Sequence, residues 1–322
     1  MPCSRVDDAP LARPAGAVTG KPATVSVVMP AKNAAAHIGE AIASVLLQGH
    51  GVEDLIVIDD GSTDATRVIV GGFDDPRVRL LSNPGRGVSS ARNHGASAAG
   101  GDWLMFLDSD DRLRPGAIAT LLQAANAAQR AVAIYGDYDR IDGNGAPIGR
   151  RGWLQRRSKP SGEVLQRLAA GNFIVNGGVM IVRADAFAAV GGFDAALKYC
   201  EDWHCWCRLA ALGEFQAVKH QLLDYRVHGD STMSPSIRSP ADFLPAVDRV
   251  FGDAIILAKL PPASMSGLRR AAEIHMMTYA ATQAVRFGRY RQAGRYALAA
   301  IRRSPRATPA VALRLGLAWL RI

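Results

Sequence analysis

The sequence predicts an α/β fold, with a mostly parallel central sheet flanked by helices and an all-helical, arginine-rich extension at its C-terminal end. Three observations carry that expectation. Short β-branched runs alternate with helical periods through the first half of the chain. Three polar clusters fall where successive predicted strands end, the edge at which open α/β sheets bind ligands. Beyond Phe243 the pattern is helical throughout, and after Glu273 there are nine arginines and no acidic residue.

The first strand is Val25 to Pro30, a β-branched run stopped by proline. Ala34 to Leu47 carries Ile38, Ile42, Val45 and Leu46 at helical spacing, with Asn33 placed to cap it. Asp54 to Ile58 is the second strand, and Ser62, Asp64 and Thr66 open the next helix. Val78 to Leu81 is the third strand, Val88 to Ala98 the third helix, and Trp103 to Leu107 the fourth strand. Such βαβα order argues for parallel pairing. The chain then turns irregular. Val132 to Tyr138 and Gly178 to Val182 are strands, and a short helix runs to Val190. Gly191-Gly192-Phe193-Asp194 is a turn, Glu201 to Leu212 a helix and Leu222 to Val227 a last strand. Asp139 to Lys159 is turn-rich. Met265 to Phe287 and Arg291 to Arg303 form a helical hairpin, and Ala310 to Leu320 a final amphipathic helix. The expected boundaries are a disordered leader over 1–22, an α/β domain over 23–235 and a helical extension over 236–322.

At 322 residues and 48% hydrophobic, the chain has apolar surface enough for a large core. No stretch has the length of an uncharged membrane-spanning helix, and the first residues lack an apolar signal-peptide core. Cys200, Cys205 and Cys207 lie close to His204, but their spacing is not a standard zinc pattern. Buried reduced thiols are the expectation, and with them a cytoplasmic setting. The net charge of +9 belongs wholly to the residues after Glu273; the first 273 residues hold equal numbers of acids and bases.

The chemistry concentrates in Asp108-Ser109-Asp110-Asp111, where an apolar run ends in three carboxylates within four residues. Such carboxylates repel one another unless a cation lies between them. A hard divalent ion, Mg²⁺ or Mn²⁺, and the phosphates it carries suit an oxygen-only site; the plainer alternative is a solvated acidic turn. Pro30-Ala31-Lys32-Asn33 and Asp59-Asp60-Gly61-Ser62 fall at the same predicted sheet edge.

With Ala91-Arg92-Asn93, Gly191-Gly192-Phe193-Asp194 and Glu201-Asp202-Trp203, these motifs stand in the order of a known family. The chain resembles a family 2 glycosyltransferase of the Rossmann-like GT-A fold over about residues 23 to 230. The resemblance implies an inverting, metal-dependent enzyme that moves one sugar from a nucleotide-diphosphate sugar, with UDP the expected nucleotide. The acceptor would be a hydroxyl of a glycan or lipid-linked glycan in cell-surface polysaccharide synthesis. It implies that Asp60 binds the base edge, a carboxylate accepting an imide N–H, and that Pro30 and Ala31 line the base. It also puts Asn33 and Ser109 in the nucleotide-sugar site. The family often has an aromatic residue where Lys32 stands here. Asp110 would bind the metal, Asp108 the ribose or a metal-bound water, and Asp111 would serve only the turn. His228 would ligate Mn²⁺ or bond a phosphate, or be a plain surface residue. Arg92 would fork to a phosphate or form an ion pair with Asp60 or Asp108. Asp202 would be the general base, with Glu201 in reserve. Trp153 and Trp203 would stack on acceptor sugar rings, while Trp206 belongs to the core.

Two other readings compete. A sugar nucleotidyltransferase would need a glycine-rich phosphate loop after the first strand, and Pro30-Ala31-Lys32-Asn33 has no glycine. A non-catalytic nucleotide-sugar-binding or scaffold protein would tolerate loss of Asp110 or Asp202, and both are present. The arginine-rich helices have no aromatic platform or motif for nucleic acid. Leu313, Leu315, Leu317 and Trp319 alongside Arg314 and Arg321 instead suggest peripheral contact with an anionic inner membrane face.

Overall fold

The computed structural model describes residues 22–148, 159–174, 177–227 and 238–319. β1 (Val25–Ala31), α1 (Ile38–Leu46), β2 (Val52–Asp59), α2 (Thr66–Gly71), β3 (Val78–Ser82), α3 (Val88–Ser97) and β4 (Trp103–Phe106) form the alternating half. β5 (Arg112–Leu113), α4 (Ala117–Ala127), β6 (Ala131–Ile141), α5 (Leu165–Ala169), β7 (Met180–Arg183), α6 (Ala184–Ala189), α7 (Glu201–Leu212) and β8 (Glu214–Arg226) follow. The remainder is α8 (Leu244–Gly252), α9 (Ala254–Leu257), α10 (Met265–Arg286), α11 (Tyr290–Arg303) and α12 (Thr308–Trp319).

Eight strands make one sheet in the order β3-β2-β1-β4-β7-β6-β8-β5. The β3-β2-β1-β4 half is parallel. Beyond β4 the sheet is mixed, because β7 runs antiparallel to both β4 and β6 while β6 and β8 are parallel. β1 is buried along nearly its whole length, as a strand covered on both faces must be. Gly95 lets α3 lie close on β1, since a methyl group there would overlap Val28. The loop after β4 crosses to the opposite edge, where β5 pairs with β8.

Two expectations for helix starts are corrected. α1 begins at Ile38, and Asn33 does not cap it. Asn33 has a left-handed φ of 50°; its amide donates to Ser62 Oγ and its Oδ1 accepts from Thr63 N at 2.8 Å. Asn33 therefore ties two loops together. α2 begins at Thr66, and Ser62 is occupied by that same loop contact. Asp64 fixes the approach instead, accepting from Thr66 N at 2.9 Å and Ala35 N at 3.0 Å. β5 and α4 arise in the stretch that the sequence leaves irregular, and β8 starts eight residues before the expected strand.

The sheet core continues without a break into the C-terminal helices through Phe243, Val247, Ala272, Met276 and Ala280. Ala297 and Ala300 place a small-residue seam of α11 against Met277 and Ala281 of α10, with Val311 of α12 closing the cluster. The hairpin and final helix stand as the sequence predicts. No helix among the described residues is long and apolar enough to cross a membrane.

Candidate active site

The polar clusters after β1, β2 and β4 meet at one sheet edge. Asp59 and Asp60, adjacent in sequence, have separate tasks. Asp59 is buried; its Oδ1 accepts from Ser62 N and its Oδ2 pairs with Arg67 at 2.9 Å. Burial pushes its pKa up, but the bonds from Ser62 and Arg67 outweigh this and hold it below the usual value. Asp60 looks across to the loop before α3. It accepts from Asn83 Nδ2 at 2.6 Å and from Gly87 N at 3.1 Å, with Lys32 Nζ at 3.8 Å. Pro30 is half-buried, and Ala31 O accepts from Asp60 N at 2.8 Å. Strand end, Asp60 carboxylate and Asn83–Gly87 loop are thus one hydrogen-bonded unit.

Arg92, on α3, is buried at the centre of the site. Its Nη2 meets Asp108 Oδ1 at 2.8 Å and its Nη1 meets Glu201 Oε1 at 3.2 Å. Burial would lower its pKa, but Asp108 and Glu201 more than offset that and keep it charged. Of the two readings of Arg92, the ion pair with Asp108 is the geometry present, and Glu201 is a partner that spacing alone did not reveal. The next residue, Asn93, exchanges two hydrogen bonds with the backbone of Phe193, at 2.8 and 2.9 Å. Gly192 has φ 72°, and a Cβ on it would strike Asn93 Oδ1. The glycine turn therefore clamps α3 to the segment leading into α7.

Asp202 lies in the first turn of α7 behind Cys200, whose φ of 59° is left-handed. That conformation costs a non-glycine residue about 1–2 kcal/mol, and just beyond it Glu201 reaches Arg92 of α3. Asp202 accepts from Asn172 Nδ2 at 3.3 Å. Burial first, and the Glu201 carboxylate second, push its pKa up to about 7, although Trp203 N and Arg92 favour its charged form. A carboxylate with that pKa exchanges a proton near neutral pH.

Asp111 is not merely a turn residue. It is buried, and its Oδ1 accepts from Arg226 N at 2.8 Å, pinning the end of β8 to the acidic loop. The Arg226 side chain holds Asp110 O and Gly143 O, at 2.8 and 3.0 Å, and pairs with Glu40. Burial raises the Tyr225 pKa, and Asp111, Asp108 and Asp110 raise it further, so its hydroxyl stays protonated beside them. Among the described residues no three side chains form a complete metal cage. The donor set at Asp110, with Asp108 alongside, is oxygen-only. It fits a hard cation shared between one or two carboxylates and a ligand's phosphates.

Trp203 does not face an acceptor. It is wholly buried, and its Nε1 donates to Leu168 O at 2.7 Å. The helical period that brings Asp202 to the site turns its neighbour into the core. Trp206 is core, as expected, edge-on to Phe193 at 5.5 Å. Cys205 and Cys207 are buried free thiols. Ser109 sits half-buried in the acidic loop. Trp153 and His228 lie outside the described residues, as do residues 1–21 and Cys3. Asn172, bonded to Asp202, and Tyr225, beside the acidic loop, are site neighbours that the sequence reading did not single out.

Several known proteins are similar to this chain. Residues 1–349 of TarS from S. aureus, crystallised with UDP-GlcNAc, superpose with a TM-score of 0.64 at 18% identity, covering 92% of this chain and 87% of that one. The fold is thus of the GT-A type. The succinoglycan biosynthesis protein ExoO of Rhizobium meliloti is 41% identical over 111 residues, which span 34% of this chain and only 32% of ExoO. The Escherichia coli glucosyltransferase WfgD is 37% identical over 122 residues, 37% of this chain and 47% of its own. An uncharacterized glycosyltransferase of Rickettsia typhi matches over a longer stretch, 26% identical across 68% of this chain and 69% of its own. The model of glycosyl transferase family 2 matches residues 26–191, the span from β1 to the clamping glycine turn, and the chain belongs to that family.

Proposed function

We propose that this glycosyltransferase moves a single sugar from a UDP-sugar to a hydroxyl of a glycan or lipid-linked glycan acceptor, with inversion at the anomeric carbon. The observation that carries the reading is Asp202, a carboxyl held near neutral pKa beside the cluster that joins Glu201 and Arg92 to Asp108. Two named relatives support the substrate classes. The TarS structure holds UDP-GlcNAc, and WfgD is described as transferring glucose from UDP-Glc to α-D-GlcNAc-diphosphoundecaprenol. ExoO, described by its role in succinoglycan biosynthesis, supports a place in surface-polysaccharide assembly.

In this reading the uracil edge meets Asp60, with Pro30, Ala31 and Asn33 around the base. Asp108 and Ser109 take the ribose side. Asp110, joined by His228, would hold Mg²⁺ or Mn²⁺ together with the donor diphosphate. The cation supplies Lewis-acid stabilisation of the leaving group. Asp202 accepts the acceptor's hydroxyl proton as that oxygen attacks the face of the sugar opposite the diphosphate. Asn172 orients the carboxylate, and Arg92 fixes Glu201 and Asp108 so that base and donor keep one geometry. Trp153 remains a candidate for acceptor stacking. The exposed arginines of α11 and α12 would hold the protein against an anionic membrane.

The test is a panel of UDP-sugars assayed for binding and for transfer. Asp202→Asn is expected to bind UDP as the parent does while transfer falls by about 10²–10⁴-fold. Normal transfer by that variant would overturn the base assignment. Metal-dependent UDP binding that survives Asp110→Ala would overturn the cation site. A scaffold protein would show donor binding without any transfer.

A further inference from the structure

Arg226, the last residue of β8, is 2% exposed, and the scheme above gives it no task. Its Nε donates to Asp110 O at 2.8 Å. Its Nη1 donates to Gly143 O at 3.0 Å and to Asp142 O at 3.2 Å, in the turn after β6. Its Nη2 pairs with Glu40 of α1. One guanidinium thus joins the acidic loop, a turn and a helix that lie 116, 83 and 186 residues away along the chain.

The partners of Arg226 are themselves held. Asp142 Oδ1 accepts from Asn144 N and Ala146 N, both at 2.9 Å, and this closes the turn that offers its carbonyls to Nη1. Glu40 also pairs with Arg112, whose Nε and Nη2 both donate to Asp224 Oδ2 on β8. Within the acidic loop, Asp111 N donates to Asp108 O at 3.1 Å, and Asp111 Oδ1 accepts from Arg226 N at 2.8 Å. Asp110 therefore projects from a main chain that is bonded at its own carbonyl and at both neighbours in the turn. Desolvating a guanidinium is costly unless its donors are met, and here every nitrogen of the fork has a partner. Its charge does not explain its place. It sits on the main chain of Asp110, the expected ligand of a divalent cation, and like charges repel. What it supplies there is geometry: a planar fork with donors in several directions at once, which an ammonium does not reproduce.

We propose that Arg226 is a positioning residue of the cation site. It holds the main chain of Asp110 in the shape that binds a divalent ion, and this outweighs the repulsion between its own charge and that ion. The inference rests on the reading of Asp110 as the cation ligand. It has a distinctive sign. Neutralising Arg226 would tighten the cation if charge were its only contribution, and loosens the cation if it positions the loop.

Calorimetric titration of the full chain with UDP over a series of Mn²⁺ concentrations tests it, with uridine in the absence of metal as the reference. In Arg226→Met the Mn²⁺ concentration that half-completes the tightening of UDP is expected to rise about 10–100-fold, as for other residues that orient a metal ligand from behind. Uridine has no phosphate, and its affinity is expected to stay within about twofold. Arg226→Lys keeps the charge but loses the fork, and is expected to behave like Arg226→Met. A Mn²⁺ dependence that is unchanged or stronger in Arg226→Met would overturn the proposal, and so would parental behaviour in Arg226→Lys. An equal weakening of uridine would mark a general structural role and also overturn it. If circular dichroism shows that the Arg226 variants fold poorly, Glu40→Ala supplies the comparison, because that side chain is 42% exposed and touches Arg226 from outside. It is expected to raise the Mn²⁺ requirement by a smaller factor, and an unchanged requirement there would overturn the proposal. UDP binding by the parent that is indifferent to both Mn²⁺ and Mg²⁺ would instead remove the cation reading of Asp110, and this role with it.

Discussion

Asp202 and Trp203 are consecutive residues with opposite fates, and each makes its own prediction. If Asp202 is the base, it works only when ionised. Its raised pKa means that activity is present above about pH 7 and is lost as pH falls through that value. A pH profile of kcat/KM is therefore expected to have its acidic limb near neutrality. Glu201→Gln removes a like charge and is expected to move that limb to lower pH. A limb that stays in place would count against that electrostatic origin. Trp203→Ala opens a large cavity and removes the indole hydrogen bond to Leu168 O, so about 3–5 kcal/mol of stability is expected to be lost in urea unfolding. The acceptor KM of the folded fraction is expected to be unchanged, in contrast to a stacking role. The sequence marked both residues, through Glu201-Asp202-Trp203, but only packing distinguishes the helix face toward the site from the face toward the core.

At the scale of elements, the clamp between α3 and the glycine turn holds the site together. Asn93 fixes Phe193, Phe193 packs on Trp206, and Trp206 belongs to the helix that carries Asp202. Gly192→Ala forces a methyl group into Asn93 at a left-handed φ. It is expected to cost about 1–3 kcal/mol of stability in urea unfolding. It is also expected to lower kcat more than it weakens UDP binding, because the clamp positions α7 and not the Asn83–Gly87 loop. The alternating strands and helices were legible because each carries its own hydrophobic period. The terminal hairpin was legible for the same reason. β5, α4 and the first half of β8 were not. β5 has two residues and exists only because β8 pairs with it. Asn33 and Ser62 have the composition of helix caps, but each finds the other first across a gap of 29 residues.

For the whole molecule, α8 and α10 belong to the same core as the sheet, and α11 and α12 pack on α10 in a second cluster. Ala272, Met276 and Ala280 are buried in the sheet core, so removing everything after Leu260 would uncover that face. Membrane contact is better tested by changing charge in the intact chain. Arg291, Arg295 and Arg302 are exposed on α11. Replacing all three with Gln is expected to weaken sedimentation with anionic vesicles by about 1 kcal/mol per residue, with the parent's binding itself falling as salt rises. Sedimentation unaffected by the triple change would remove those helices from the membrane reading.

The sequence by itself determined the alternating half of the sheet, the three polar strand ends, the order of motifs and the placement of the excess charge. These follow from local periodicity, from residue chemistry and from position along the chain. Tertiary structure decided which carboxylates meet. Arg92 joins Asp108 to Glu201 across 93 residues, and Asp111 locks β8 to the acidic loop across 115. It also decided that Asp202 titrates near neutrality, because desolvation and a neighbouring charge depend on what surrounds a group in space and not on the residues beside it in the chain.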